Sequence, residues 1–461
     1  MRPEQVSMRE GDVNKGCERD RIARDRLPSR LAPVYPGRLR GDMDDREMPA
    51  IAAAPNATRF GIYLGFLQLA LNLSWAAYVI YLPRLLAEVG IAPATVIFIL
   101  MMDQLIFTVT DTAMGIVADR IAGVFGRLGM LVGSLTAISS AAFVAMPYVA
   151  GSGPNARPFL IALIVLWTST SSALRAPPLT LLGKYAAKPS VPFLSALVML
   201  GYGVAGALSP YLGVLLRDKD ARLPFILASV VLFATALALS RVERGLARLP
   251  SSVRAKSAVT ARPLGKVTVI FIASMVILAL GYQFHFMVNS GPFFRRFATE
   301  ADLEWLMPVF WIGFNIAMFP ASTVTRLRGG LIVMGVAGLL GAVALIGAEM
   351  AGNLHTLIVT QFIAGASWGC MLMSAISAAL AIGETGAEGR IVGLVFSALA
   401  LATLARLGAV AGGLQKLPEY APLLHWAPVA CWSVAGAGLL VLAASHLQKK
   451  MRAVIGADAA R

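Results

Sequence analysis

Twelve apolar stretches dominate this chain, and each is long enough to cross a lipid bilayer. Only 14% of the 461 residues are charged and 57% are hydrophobic, whereas a soluble domain carries about 25% charged residues. A spanning helix needs about 20 apolar residues, and lipid admits only helices or closed barrels. Because the stretches show no alternation, they predict an all-α integral membrane protein with twelve transmembrane helices. They lie near residues 62–83, 94–118, 128–149, 158–182, 192–216, 223–241, 267–289, 304–324, 331–350, 355–382, 390–413 and 423–446.

The longest loop inside the membrane region, 242–266, is basic and divides the stretches into two groups of six. A weak repeat supports this division, because the segments 111–119 and 315–323 carry Ala-Met at the same offset before a basic turn. Two pseudo-symmetric six-helix bundles with a site between them are a known transporter plan. We therefore predict one bundle over 60–241, a basic cytoplasmic linker over 242–266, a second bundle over 267–446 and a cytoplasmic tail over 447–461.

Basic residues in the loops predict the orientation of the chain. Arg120 and Arg127 follow the second stretch, Lys184 and Lys188 follow the fourth, and seven Lys and Arg residues lie between 241 and 266. Lys and Arg collect in cytoplasmic loops, so we expect a multi-pass protein of the cell (inner) membrane with both termini in the cytoplasm. The same rule accounts for the net charge of +15. No nucleic-acid partner is expected, since no basic patch is interleaved with aromatic residues on a soluble module.

The first 59 residues differ from the rest of the chain. They are rich in Arg, Asp, Glu and Pro and show little apolar periodicity. Such a composition cannot bury a core, so it predicts a disordered cytoplasmic tail. The alternative is that translation starts at Met43 or Met48, and N-terminal sequencing of the native protein distinguishes the two.

A charged turn follows the second apolar stretch. Gly115-Ile-Val-Ala-Asp119-Arg120, followed by Gly126-Arg127, resembles the loop signature of the major facilitator superfamily, which lies between helices two and three. The spacing, and the lead-in Asp111-Thr-Ala-Met-Gly115, are most similar to the glycoside and sucrose-transporter branches. The resemblance implies twelve helices in two six-helix bundles, secondary transport and a monomer.

The resemblance also implies a cytoplasmic gate. In the superfamily the acid that matches Asp119 contacts the N-terminal end of a helix in the other half, where the helix dipole favours negative charge. The alternatives are a solvated loop acid for Asp119, and membrane-anchoring roles for Arg120 and Arg127. The residues of this gate motif are Gly115, Asp119, Arg120, Gly126 and Arg127.

Two acids lie inside the second stretch, and an acid at membrane depth costs roughly 3 kcal/mol or more. Asp103 lies near the predicted bilayer midplane, and we expect it to face a central cavity as a proton or cation coupling site or as a substrate contact. The alternative is a structural polar contact between helices. Asp111 is about 80° further around the helix, so the two acids can share a broad cavity face. The resemblance suggests for Asp111 a structural or gating role near the cytoplasmic closure.

Two arginines also lie within apolar stretches, one in each predicted half. Arg175, before Ala176-Pro177-Pro178 in the fourth stretch, is a candidate to bind an anionic substrate or to pair with Asp111. The alternative is that it snorkels to the cytoplasmic interface. Arg406 lies in the eleventh stretch. Together they offer cationic groups from opposite halves, which would suit an organic anion.

Other polar residues are candidates for the same cavity. His285 and Asn289 are predicted near the outer end of the seventh stretch, with Gln283 nearby. A histidine can titrate near neutral pH and so serve ion coupling, and the alternative is a polar residue at a helix end. Aromatic faces with amide donors would suit a sugar, although each such residue can instead pack between helices. These remaining candidates are Gln68, Asn72, Trp75, Gln361 and Trp368.

These features predict a secondary active transporter that moves a small solute, with a proton or cation, across the lipid bilayer by alternating access. The alternative is a non-transporting membrane protein of the same fold, such as an assembly factor or a pigment- or lipid-handling factor. The sequence has no GxxxxGK[ST] loop and no HExxH or CxxC motif, so no enzyme activity is predicted. No cofactor or metal site is expected, because the four histidines, His285, His355, His425 and His446, do not show metal-ligand spacing.

Overall fold

Twelve helices that are long and apolar enough to cross a membrane make up most of the described chain. The computed structural model describes residues 57–121, 127–186, 188–247, 264–383 and 386–459, and these ranges contain no strand. This confirms the predicted all-α membrane fold. The helices are α1 Ala57–Glu88, α2 Pro93–Ile121, α3 Arg127–Ala150, α4 Pro154–Gly183, α5 Lys188–Leu216, α6 Arg222–Arg241, α7 Lys266–Arg295, α8 Leu303–Arg328, α9 Gly330–Glu349, α10 Leu354–Ile382, α11 Glu388–Ala411 and α12 Pro418–His446.

Each predicted stretch coincides with one of these helices, and the predicted ends differ from the observed ones by up to six residues. α7 continues from the predicted end at 289 to Arg295, and α12 begins at Pro418 instead of 423. Polar residues can continue a helix beyond the lipid, which is why apolar length alone underestimates it. The predicted N-terminal tail up to residue 56 and positions 248–263 of the predicted linker lie outside the described residues.

An even number of spans returns a chain to the side on which it started. α1 therefore begins and α12 ends at the same face of the protein, which we call the terminal face. The opposite one is the distal face. Odd-numbered helices run from the terminal to the distal face, and even-numbered helices run back.

Three of the helices are interrupted, and in α8 the break at Met307 separates Leu303–Leu306 from Pro308–Arg328. In α4 a 3-10 turn at Ser172–Leu174 separates two α-helical parts. The second part starts at Pro177, because the N–H that proline lacks would have no intrahelical partner in the first turn of a helix. In α7 residues His285–Asn289 form a π turn, a feature that is frequent at functional sites.

The contacts between helices reveal the pseudo-symmetry of the fold. α1 to α6 form one bundle and α7 to α12 the other, and the principal contacts between bundles are α2 with α11 and α5 with α8. A two-fold axis that exchanges each helix with the one six places later converts the first of these pairs into the second. The chain is therefore built as two six-helix bundles related by a pseudo-two-fold axis.

Glycines allow the helices within each bundle to touch through their backbones. A Cβ atom on Gly201 of α5 would lie 2.8 Å from the carbonyl carbon of Gly65 in α1. In the second bundle, a Cβ on Gly365 of α10 would lie 2.5 Å from the carbonyl carbon of Phe310 in α8. Small residues take these positions because helices in lipid associate through close packing rather than through the hydrophobic effect.

We expect Gly201→Ala to destabilise the first bundle, because the added methyl group meets backbone atoms that cannot move by changing rotamer. Overpacking of this kind costs about 1–3 kcal/mol. The matched control is Gly213→Ala on the same helix, where a Cβ atom would meet nothing within 4 Å. Thermal unfolding of the purified protein measures the difference, and equal unfolding temperatures for the two variants would contradict the close approach.

Candidate functional site

A cavity of about 530 Å³ lies between the two bundles. α1, α2, α4 and α5 line it from the first bundle, and α7, α8 and α11 from the second. Its size suits a small organic molecule, since ligand pockets usually enclose about 300–1,000 Å³. Its polar and aromatic lining consists of Gln68, Asn72, Trp75, Gln104, Phe107, Trp167, Ser171, Arg175, Tyr202, Ser209, Tyr282, Gln283, Trp311, Phe396, Thr403 and Arg406.

The cavity occupies the part of the protein between its middle and the distal face. In α1 the lining runs from Gln68 to Ile80, and in α11 from Phe396 to Leu407. Both helices start at the terminal face, so these residues lie in their middle and distal parts. α2 and α11 pack against each other on the terminal side of the cavity.

Arg175 lies at the inner wall of the cavity, directly after the 3-10 turn of α4. Its Nη1 atom is 3.0 Å from Oδ2 of Asp111, whose side chain is fully buried. The geometry is that of an ion pair rather than of a hydrogen bond. The guanidinium also lies over the rings of Phe107 and Phe396, 4.5 and 5.2 Å from their centroids. One arginine thus contacts α2 of its own bundle and α11 of the other.

Arg406 contributes a second cation from the opposite bundle. Its Nε donates to Oε1 of Gln283 at 2.9 Å, and Nε2 of Gln283 donates to Oγ1 of Thr403 at 2.9 Å. All three side chains line the cavity. Arg175 and Arg406 therefore lie in one cavity, as the sequence suggested, while a role for either in substrate binding stays a prediction.

Asp103 does not line the cavity. Its side chain is fully buried, and its two oxygens accept hydrogen bonds of 2.8 Å from the hydroxyls of Tyr78 and Thr168. Trp75 and Trp167 form the cavity wall here, and both rings contact that of Tyr78. The expectation that Asp103 faces the cavity is wrong for this structure, because aromatic side chains from α1 and α4 cover the acid.

The expected shared cavity face of the two acids is also absent. Asp111 is fully buried and does not line the cavity, because its carboxylate is turned to Arg175. Of this ion pair only the arginine reaches the cavity, with 18% of its side chain exposed.

Three further candidates lie inside the second bundle instead of on the cavity wall. His285 Nε2 is 3.0 Å from Oε1 of Gln361, and Ser290 donates to the same oxygen. Asn289 donates to the carbonyl of Leu424 at 2.9 Å. All are buried, so these contacts join α7 to α10 and α12. His285 is not near the end of its helix, because α7 continues to Arg295. Trp368 is fully buried too.

Gln68 and Asn72 do line the cavity, together with Trp75. Gln68 Nε2 donates to the carbonyl of Leu174 at 3.3 Å, at the interruption of α4. Asn72 donates to the carbonyl of Gln68 at 2.7 Å. Gln68 therefore ties α1 to the segment that carries Arg175.

Asp119 joins the two bundles at the terminal face. Its Oδ1 accepts a hydrogen bond from the backbone N–H of Gly389 and its Oδ2 one from that of Arg390, each 2.7 Å long. These N–H groups belong to the first turn of α11, where free backbone donors and the helix dipole favour an anion. The contact that the resemblance implied is present, and its role as a gate stays a prediction.

Backbone contacts continue this junction toward the cavity. A Cβ on Gly115 would lie 2.7 Å from the carbonyl carbon of Gly389, and the hydroxyls of Thr112 and Ser397 are 2.7 Å apart. Arg120 and Arg127 are exposed, as membrane-anchoring residues would be. Gly126 lies outside the described residues.

Comparison with known families agrees with this architecture. A model of the Major Facilitator Superfamily matches residues 64–405, which is most of the membrane region. The chain belongs to the Major Facilitator Superfamily. It is therefore an integral membrane protein of a transporter family, as the signature after the second helix implied.

Solved structures of superfamily transporters share the fold. A bacterial homologue of the iron transporter ferroportin, in an outward-facing state, is 14% identical, with a TM-score of 0.64 over 84% of this chain and 100% of that one. The human organic anion transporter MFSD10 (TETRAN) is 14% identical, with a TM-score of 0.59 over 84% and 98%. The Escherichia coli fucose:proton symporter FucP is 12% identical, with a TM-score of 0.63 over 84% and 98%. No curated protein matches at a significant level.

Several residues that line the cavity of this superfamily member were not predicted from the sequence. Gln104 and Thr403 are polar residues within apolar helices, and that signal was available. Tyr202, Tyr282 and Phe396 carried none, because an aromatic residue in a membrane helix is as common in packing as in a binding site. Only the packing of α5, α7 and α11 around the cavity distinguishes them.

Proposed function

We propose that this protein is a secondary active transporter that moves a small solute by alternating access and is driven by an ion gradient. The observation that carries the proposal is the cavity between two pseudo-symmetric bundles, on whose terminal side Asp119 joins α2 to α11. A site at the bundle interface can face either side of a membrane when the bundles rock about it.

The junction at the terminal face has the properties of a reversible closure. In the part of the chain that the structure describes it includes a carboxylate on helix N–H groups, a hydroxyl pair and glycine contacts, and these can separate without unfolding either bundle. Because Asp119 exchanges helix N–H groups for water when it opens, the two states can be close in free energy. This balance is what a transport cycle requires.

We also propose an orientation of the chain in the membrane and the boundaries of its two bundles. We place the terminal face in the cytoplasm of the cell, because the basic loops of the sequence lie on that side. The first bundle then comprises residues 60–241 and the second 267–446, joined by the basic segment 242–266, and the functional unit is a monomer. Labelling of single cysteines in intact cells tests the orientation.

The branch of the superfamily to which the chain is most similar does not identify its substrate. The spacing from Gly115 to Arg127 supports a place near the glycoside and sucrose-transporter branches. The three solved relatives are named for iron, organic anions and fucose with protons, and at 12–14% identity they support the fold alone. The chemistry of this cavity is therefore the guide to the substrate class.

Counterflow in proteoliposomes tests the transport activity. We expect the purified protein to exchange labelled against unlabelled solute for at least one class in a panel of sugars, organic anions and organic cations. The control is liposomes without protein. If no class exchanges, the transport proposal fails and a non-transporting member of the superfamily remains.

Ion coupling is proposed to act through Asp103, the acid held by Tyr78 and Thr168. We expect Asp103→Asn to abolish accumulation driven by a pH gradient but to leave counterflow intact, because an amide keeps the shape of the carboxylate and cannot carry the proton. Thr168→Val, which removes one hydrogen bond but keeps the acid, is the matched control and should still accumulate solute. If the Asp103→Asn variant still accumulates solute in response to a pH gradient, Asp103 has only a structural role and the coupling proposal fails.

A further inference from the structure

The cavity carries an unusual balance of charge. Arg175 and Arg406 are the charged members of its lining in the described part of the chain, and that lining contains no Asp or Glu. The remaining polar members are amides and hydroxyls, which are neutral. A solute in this cavity therefore meets positive charge without a matching anion on the wall.

The two arginines are not equivalent. Arg175 is neutralised by Asp111 at 3.0 Å, and its guanidinium lies over the rings of Phe107 and Phe396. Arg406 has no carboxylate partner among the described residues, since its one side-chain partner is the neutral amide of Gln283. The cavity consequently holds one uncompensated positive charge, which is on Arg406.

The geometry of Arg406 leaves its terminal amino groups free for a ligand. A guanidinium has five N–H donors, and Gln283 takes the one on Nε. The four donors on Nη1 and Nη2 have no protein partner in the described part of the chain. Gln283 is itself held by Thr403, so the guanidinium is oriented before any ligand arrives. A planar pair of donors of this kind matches a carboxylate or sulfonate in two parallel hydrogen bonds.

The rest of the wall indicates the body of such a ligand. The rings of Trp75, Trp167, Tyr202 and Trp311 line the cavity. Trp75 and Trp167 are stacked with centroids 5.7 Å apart, so this part of the wall is aromatic. Aromatic walls of this kind favour a planar apolar body over a strongly hydrated one.

We propose that the cavity binds a monovalent organic anion with an aromatic or other apolar body, and that the terminal amino groups of Arg406 bind its charged group. The proposal rests on the proposed transport function, because it names the substrate class of the same cavity. It depends on an arginine without a carboxylate partner in a cavity whose lining holds no acid.

Matched ligands that differ only in charge test the substrate class. The probes are toluene-4-sulfonate as the anion, toluene-4-sulfonamide as its neutral analogue and 4-methylbenzylammonium as the cation, with benzoate and 1-naphthoate as further anions. Calorimetric titration of the protein in lipid nanodiscs measures their affinities. We expect the anions to bind, and to bind at least roughly 10-fold more tightly than the neutral and cationic analogues, because a hydrogen bond to a charged group is worth more than a neutral one. Equal affinities, or no binding of any anion, would overturn the substrate class.

Arg406→Gln tests the proposed ligand contact. The affinity for toluene-4-sulfonate should fall by roughly 10- to 100-fold, while that for the sulfonamide should change little. The variant removes an unpaired charge from a membrane helix, so the ligand-free protein should unfold at the same temperature as the wild type or higher. The matched control is Arg84→Gln, an exposed arginine that pairs with Glu88 at 3.2 Å. Unchanged sulfonate affinity in a folded Arg406→Gln protein would overturn the contact.

Counterflow separates failure of the inference from failure of the proposed function. Exchange of a neutral sugar that is indifferent to Arg406→Gln would overturn the anion site and leave transport intact. Anion binding that Arg406→Gln abolishes, without exchange of any solute, would support the site and overturn the transport function. Exchange of toluene-4-sulfonate by the wild type and not by Arg406→Gln supports both.

Discussion

A single methyl group at Gly115 is expected to keep the terminal face from closing. The Cβ atom of an alanine there would lie 2.7 Å from the carbonyl carbon of Gly389 and would overlap the carbonyl oxygen. Neither backbone atom can move aside by changing rotamer, so α2 and α11 must separate. Overpacking costs about 1–3 kcal/mol, which shifts a two-state equilibrium by roughly 5- to 150-fold.

Accessibility of the α2–α11 interface measures this shift. Ser397 is buried at the interface, where it pairs with Thr112, so Ser397→Cys in a background without native cysteines is a suitable reporter. We expect Gly115→Ala to raise the labelling rate of this cysteine by an impermeant maleimide from the terminal side, and to slow transport by a similar factor. Asp119→Ala should act in the same direction, because two N–H groups of α11 lose their acceptor.

Gly213→Ala is the matched control for this experiment, since a Cβ atom at Gly213 meets nothing within 4 Å. It should leave both labelling and transport at their wild-type values. Labelling of Gly115→Ala at the wild-type rate would contradict the view that the glycine contact limits closure. Loss of folded Gly115→Ala protein would instead indicate a contact needed for folding, like that of Gly201.

The number and type of the helices follow from the sequence because the bilayer imposes a length. Apolar runs and loop charges report directly on where a chain enters and leaves lipid, and all twelve helices were predicted. The ends of the helices were predicted less accurately, as in α7, because the residues of a helix that lie beyond the lipid need not be apolar. The contact of Asp119 with α11 could also be predicted, because Asp119 belongs to a local sequence signature.

The environment of the candidate acids could not be predicted in the same way. Helical geometry gives the angle between Asp103 and Asp111, but not which neighbours cover each face. Tyr78 comes from α1 and Thr168 from α4, and only their packing turns Asp103 away from the cavity. Arg406 lines the cavity because α11 faces the first bundle across it. Polar residues within an apolar helix therefore correctly indicated a polar contact, but the sequence did not show which residue each of them contacts.

The two principal contacts between the bundles illustrate the same limit. At the terminal face, α2 meets α11 through glycine backbones and polar pairs. At α5 and α8, Gly206 lies against the ring of Trp311, and Tyr211 packs edge-on against Trp305 with centroids 5.0 Å apart. A pseudo-two-fold axis relates the pairs of helices but not their chemistry. The symmetry is therefore a property of the fold, while the side chains decide which junction opens.

Removing Arg175 is expected to be the most destabilising single change at the cavity. Asp111 is fully buried, and Arg175 is its one ion-pair partner in the described chain. Breaking a buried pair from one side leaves an uncompensated charge, which costs about 3–5 kcal/mol. We therefore expect Arg175→Met to lower the free energy of unfolding by that amount. Asp111→Asn should cost less, because Arg175 keeps its two aromatic contacts and reaches the cavity.

The double variant Arg175→Met/Asp111→Asn distinguishes a buried ion pair from mere loss of packing. Without either charge, most of the stability lost in Arg175→Met should return, so the coupling free energy between the two positions should be large. The control pair is Arg84 with Glu88, which is partly exposed, and such i,i+4 pairs contribute only about 0.3–0.5 kcal/mol. Equilibrium unfolding in detergent measures both cycles. Additive effects at Arg175 and Asp111 would mean that the arginine acts through the rings of Phe107 and Phe396 rather than through the carboxylate.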